Sequence, residues 1–284
     1  MSDQRQHRIP EVYLKQFGFQ DSNGKWWVST WKLGDKFTAN KSIKSFTKEL
    51  NTFDLPVQDI KLKRLFENYT SQLETNYPWI INEIKSNKKF SEKGFGIVIQ
   101  LMISVLARTK RFMEMICQFL SSEKREYFLS EVTYYFEESE KQSIVKSLKR
   151  YDNSNQVNLI LFSVCVYFVR KLTSSGFDFV ILKSPPSRGW FTTDNPVVLL
   201  NSINRETLLS KETEIYFPLS KDYCLYIDHS DYNRSNSLRG VNEEEVTETN
   251  EEKHDRITKY VVTNSSQYLI HPFDMERTRM SFIK

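Results

Sequence analysis

The spacing of apolar positions changes twice along this chain, and each change marks a boundary. Pro10, Tyr13, Leu14 and Phe17 fall at i, i+3, i+4 and i+7, which predicts a short amphipathic helix with proline in its first turn. Asp21-Ser22-Asn23-Gly24 predicts a turn, Trp26 to Trp31 a strand, and Gly34-Asp35 a second turn before a strand at Lys36–Ala39. From Gln58 to about Leu172 the period becomes helical. Leu62, Leu65, Phe66, Tyr69, Leu73 and Tyr77 form one stripe; Ile97, Leu101, Val105 and Arg108 form another, with Phe112 and Ile116 beyond. Further helices are predicted at Tyr127–Phe136, Lys141–Arg150 and Gln156–Leu172, the last behind capping residues at Asp152–Asn155.

After Gly176 the alternation is that of strands. They are predicted at Phe177–Leu182, Trp190–Thr193, Val197–Leu200, Glu214–Phe217, Tyr223–Ile227 and Gln267–His271, with a glutamate-rich helix over Val241–Val261. The fold class is therefore α+β: an antiparallel β unit built from both chain ends, with a helical block inserted in the middle. Residues 1–57 hold the N-terminal helix and β-meander, 58–175 the helical insertion, and 176–284 the C-terminal antiparallel sheet with the acidic helix. The first and third segments are expected to form one β unit, since neither has enough strands to bury a sheet face alone.

Composition narrows the picture. At 284 residues with 14% aromatics, the core rests on Phe, Tyr and Trp. Eight glycines speak against folds that need glycine-rich phosphate loops. Cys117, Cys165 and Cys224 are far apart and odd in number, with no Cys-x-x-Cys pair, so reduced thiols and no zinc site are expected. The polar N-terminus does not read as a signal peptide, and the apolar runs Phe95–Ala107 and Val157–Val169 are too short to span a bilayer. A cytoplasmic chain with no membrane partner is the expectation. The net charge of +4 is uneven: residues 1–90 carry fifteen Lys/Arg against ten Asp/Glu, and the rest is nearly balanced. A basic N-terminal third could face phosphate; a solvated lysine surface at ordinary density is the stronger explanation.

Familiar chemistries are missing. There is no Walker loop, G-x-G-x-x-G, H-E-x-x-H or G-x-S-x-G. His271-Pro272-Phe273 opens like the Fic adenylyltransferase signature but lacks its Gly-Asn-Gly, and His7-Arg8-Ile9-Pro10 is similar only to the start of an HNH nuclease motif. One resemblance runs along the chain. His7, Pro10, Tyr13, Leu14 and Phe17 match the opening His-x-x-Pro-x-x-Tyr-Leu-x-x-Phe of the mainly bacterial family called domain of unknown function 4238. Lys48-Glu49-Leu50 with Phe53, Glu67 and Glu74 on a helix, Arg108-Thr109, Thr193-Asp194-Asn195-Pro196, Phe217-Pro218-Leu219-Ser220 and an Asn250 helix follow in order. The resemblance implies an intracellular protein of bacterial conflict or phage-defence settings.

The same positions suggest chemistry. Arg108 lies about 20° from Ile97 and Leu101 on a helical wheel, so its guanidinium points along an apolar face and needs a carboxylate or phosphate partner. Asp194 or Glu74 is the expected partner. Asp194 and Asn195 stand where a strand meets Pro196, and His7 has the side chain best suited to proton transfer near neutrality. His7, Arg108, Asp194 and Asn195 together could cleave a phosphodiester without metal or other cofactor. In that scheme His7 moves protons and Arg108 holds developing charge. The expectation is a ribonuclease-like effector acting on RNA or DNA; the alternative is a sensor or module that binds a partner protein. Each residue also has a plain structural role open to it: an ion pair for Arg108 with Asp194, an Asx-turn for Asp194-Asn195-Pro196, a helix tether for His7. Glu67 and Glu74, seven apart, read as solvated acids or a metal-ligand pair.

Overall fold

The computed structural model describes residues 5–174, 176–186, 188–200, 208–230 and 246–275. The chain begins with β1 (Arg5–His7) and α1 (Glu11–Leu14), followed by β2 (Phe19–Gln20), β3 (Trp26–Lys32), β4 (Ala39–Ser42) and β5 (Lys48–Leu50). α1 is shorter than its apolar spacing predicts. Beyond Leu14 the backbone tightens into i→i−3 bonds, Gln16 N–H to Tyr13 and Phe17 N–H to Leu14, and these still turn Phe17 into the core. β4 begins three residues later than expected because Thr30 pairs with Ala39. The segment between them is connection, and it leaves Phe37 exposed.

The helical block contains α2 (Ile60–Lys63), α3 (Leu65–Glu74), α4 (Tyr77–Asn87), α5 (Glu92–Arg108), α6 (Lys110–Ser121), α7 (Arg125–Val132), α8 (Glu138–Leu148) and α9 (Asn153–Ser174). Ser91 caps α5 by accepting from Gly94 N–H, and Thr109 caps α6 by accepting from Phe112 N–H. The second cap breaks the helix directly after Arg108. α9 packs on α5 and α6, then on α7 and α8. Over Asn155–Ser174 it is long and apolar enough to cross a membrane by length and composition, with half of that stretch buried. That stretch is longer than the Val157–Val169 run that the sequence pattern marks.

Strands return as β6 (Phe177–Lys183), β7 (Thr192–Thr193), β8 (Val198–Leu200), β9 (Glu214–Pro218), β10 (Tyr223–His229) and β11 (Val246–Glu248), then α10 (Glu251–Thr263) and β12 (Tyr268–His271). Only Thr192 and Thr193 find partners on β12, so the strand expected from Trp190 is short. Of the predicted helix over 241–261, residues 241–245 lie outside the described residues and Val246–Glu248 form a strand. The helix starts where Asn250 caps it, its side chain accepting from Lys253 N–H at 2.9 Å.

The fold is α+β. One sheet runs β2-β3-β12-β7, with β4 also on β3; a second runs β11-β6-β10-β9-β8; β1 and β5 form a separate ribbon. Pairing is antiparallel except for β11, which lies parallel to β6. The first sheet therefore draws strands from both chain ends. In the second, opposed residues share a face: Ile181, Leu225 and Phe217 enter the main helical core, whereas Val180, Tyr226 and Tyr216 pack with Ile257 and Val261 of α10.

Candidate functional site

Arg108 ends the apolar stripe of α5 and is 1% exposed. Its Nη1 lies 2.7 Å from Glu74 and its Nη2 3.8 Å from Glu67, one above the other on α3. Nη2 also donates to the Thr70 hydroxyl, between the two acids. Nη1 lies 3.4 Å from the His7 carbonyl. Glu67 and Glu74 are thus not solvated acids; they flank a buried cation. Burial raises the Glu67 carboxyl above its ordinary range, Arg108 opposes this, and Glu74 and Asp54 add to it. Asp54 has its own partners, Gln6 Nε2 at 2.8 Å and Lys63 at 3.5 Å.

Asp194 lies apart from Arg108. Its carboxylate accepts from Ser266 N–H at 2.9 Å, Gln267 N–H at 2.7 Å and the Ser265 hydroxyl at 3.2 Å. It closes the turn between α10 and β12. Asn195, buried, donates through Nδ2 to the Asn264 carbonyl and the Ser266 hydroxyl, while Asn264 Nδ2 donates back to the carbonyls of Asn195 and Val197. The pair clamps β7 and β8 to the chain after α10.

The Tyr-Leu motif is also structural. Tyr13, fully buried, stacks on Phe217 at 5.4 Å and donates to the Pro218 carbonyl; its hydroxyl lies 2.5 Å from that of Thr192. Tyr77 donates to the next carbonyl, that of Leu219, at 2.7 Å. The Phe-Pro-Leu-Ser segment therefore supplies two main-chain acceptors to two buried phenols.

His7 lies on β1 with its side chain opposite that of buried Gln6. Nε2 is 3.5 Å from Glu11 and 3.4 Å from the Lys44 carbonyl. Burial, then Lys48, lower its pKa despite Glu11, so the ring is neutral at neutral pH. The structure brings His7 and Arg108 together through the His7 backbone and leaves the imidazole away from Asp194 and Asn195.

Next to this network opens a cleft of about 490 Å³ whose lining includes Arg8, Lys41, Phe46, Glu49, Lys110, Asp194 and Tyr268. Arg8 Nε and Nη2 grip both oxygens of Glu49 at 2.6 and 2.7 Å, and Nη1 donates to the Arg108 carbonyl at 3.0 Å. Arg8 thus joins the cleft to the buried cluster. Lys41 Nζ stands 5.3 Å over the Tyr268 ring, and Phe46 meets that ring edge-on. Thr47, also on the wall, has φ of 62°, a left-handed conformation that a β-branched residue adopts only when its surroundings impose it. Sequence reasoning selects His7 and passes over its neighbour Arg8, although Arg8 and Glu49 both stand inside the quoted motifs.

The class so defined is an α+β chain with a buried arginine–glutamate cluster beside a cleft lined by three cations, two acids and aromatic rings. The chain belongs to the family described as protein of unknown function (DUF4238), whose model matches residues 5–271. No curated protein and no solved structure matches it.

Proposed function

We propose that this protein is nucleic-acid-directed and holds a phosphate-bearing strand in the cleft of Arg8, Lys41 and Lys110. The observation that carries the reading is the convergence of these three cations on one opening walled by Tyr268 and Phe46. Phosphates need cations and unpaired bases need flat rings, and single-stranded nucleic acid presents both together. The volume suits a nucleotide-sized group. In a hydrolytic form of the reading, the strand reaches past the cleft lining to His7, the neighbour of Arg8 in sequence, whose neutral imidazole beside Glu11 is the form that accepts a proton. Arg108, Asp194 and Asn195 then act as positioning residues, since their polar groups are engaged within the fold. With His7 inactive, the same cleft serves a sensor or docking module. The setting, an effector or sensor of bacterial phage defence or toxin systems in the cytoplasm, follows the family resemblance.

The test is fluorescence anisotropy of labelled single-stranded RNA and DNA at several salt concentrations, alongside a cleavage assay in chelator. Salt-sensitive binding that Lys41→Ala and Lys110→Ala weaken supports the reading. Absence of binding to either polymer overturns it.

A further inference from the structure

We propose that Glu49 holds the position a ligand's terminal phosphate would take, making the cleft a reader of phosphomonoester ends on single strands. This rests on the nucleic-acid reading above and narrows it.

The donors around the Glu49 carboxylate form a built anion position. Arg8 presents its planar fork to both oxygens at 2.6 and 2.7 Å, and the Thr52 hydroxyl lies 3.3 Å from Oε2. The Lys110 ammonium acts on the same carboxylate and, with Arg8 as the larger influence, helps hold its pKa down. The arginine is fixed independently of Glu49, whereas Lys110 is exposed and free to follow the anion. Arg8 is 17% exposed, and its remaining nitrogen is held by the Arg108 carbonyl at 3.0 Å and by Met113 Sδ at 3.3 Å. The anion side is not fixed. Glu49 is 46% exposed on a three-residue strand, two residues before Asn51 with φ of 51°. A stronger anion can therefore displace the carboxylate into solvent while the fork stays in place.

The chemistry of the position selects the anion. A phosphomonoester carries about −1.5 to −2 charge and three terminal oxygens. An arginine fork, an ammonium and a hydroxyl match it better than they match a diester, with one charge and two free oxygens. Tyr268, half-buried on the same cleft, gives the terminal base a ring to stack on, and buried Phe46 backs that ring.

The experiment compares three versions of one labelled oligouridylate, with a 5′-phosphate, a 3′-phosphate or only hydroxyl ends, binding to the full chain and to Glu49→Gln. One phosphorylated form is expected to bind the wild-type protein about tenfold more tightly than the hydroxyl form, and Glu49→Gln to tighten that form selectively. Equal wild-type binding of all three overturns end recognition but leaves the nucleic-acid reading standing. No binding of any form by wild type overturns both. Selective wild-type binding that Glu49→Gln weakens, with melting unchanged, shows that Glu49 is a ligand contact and not a stand-in. The wild-type comparison decides end recognition even if the variant misfolds.

Discussion

Tyr13 and Pro218, 205 residues apart in sequence, are joined by a 2.8 Å hydrogen bond from the phenol to the main-chain carbonyl. The donor sits on the first helix and the acceptor at the end of β9, so one buried hydroxyl ties the N-terminal motif to the second sheet. Tyr13→Phe keeps the ring stack on Phe217 and orphans the Pro218 carbonyl. A loss of about 1–3 kcal/mol is expected from equilibrium urea unfolding. A variant as stable as wild type would show that the tie is dispensable.

Arg108 neutralises two carboxylates that are themselves partly buried. Arg108→Ala is expected to cost about 3–5 kcal/mol, because the acids lose their cation. Loss of function in this variant should therefore track its melting curve, and a functional defect in a fully stable Arg108→Ala protein would show a role beyond holding the fold.

Glu67 supplies a pH dependence whose sign is fixed. Its folded pKa lies above the ordinary 4.5, so the native state binds this proton more tightly than the unfolded chain does. Its contribution to stability is complete below that ordinary value and is lost as pH rises through the raised one. Glu67→Gln should accordingly stabilise the protein at about pH 7 relative to wild type, with the gain fading towards about pH 4. Denaturant midpoints across that range test this, and a Glu67→Gln protein less stable at neutrality would reverse the assignment.

His7→Ala separates the hydrolytic form from the binding form. The ring's polar contacts to Lys44 and Glu11 are no shorter than 3.4 Å, so the cost to stability should be mainly that of lost packing, about 1 kcal/mol. If His7 is the acid–base group, cleavage falls on the order of 10²–10⁴-fold, while strand binding persists. Unchanged cleavage in a stable variant excludes that role.

Lys41 and Lys110 differ from these residues because they face the cleft and its solvent. Replacing either with Ala should leave melting nearly unchanged and lower the slope of log affinity against log salt by ~0.7 for each phosphate left without its cation. An unaltered slope would place the strand elsewhere.

Periodicity reveals the helical block, the later strands and the burial of Arg108, because each is a local consequence of which face is apolar. Glu74 is legible as its partner because two acids seven residues apart share one face of α3. The cleft is not legible, since Arg8 meets Glu49 only after β1 pairs with β5 in a register that neither segment announces. Asp194 shows the same limit from the other side. An acid two residues before a proline reads equally as a site or a turn until the three donors from residues 265–267 arrive.

The position of β12 between β3 and β7 has a consequence for biosynthesis. Trp31 is made well before its strand partner Leu269, which lies ~240 residues downstream. At ~5–20 residues per second, the β3 edge waits about 12–48 s for that partner while the helical block emerges and folds. During that interval an aromatic strand has an unsatisfied flank, open to pairing with another nascent chain. Messages truncated before codon 268 should therefore yield aggregates rather than soluble fragments, and a ribosome pause in the helical block should increase the demand for chaperones.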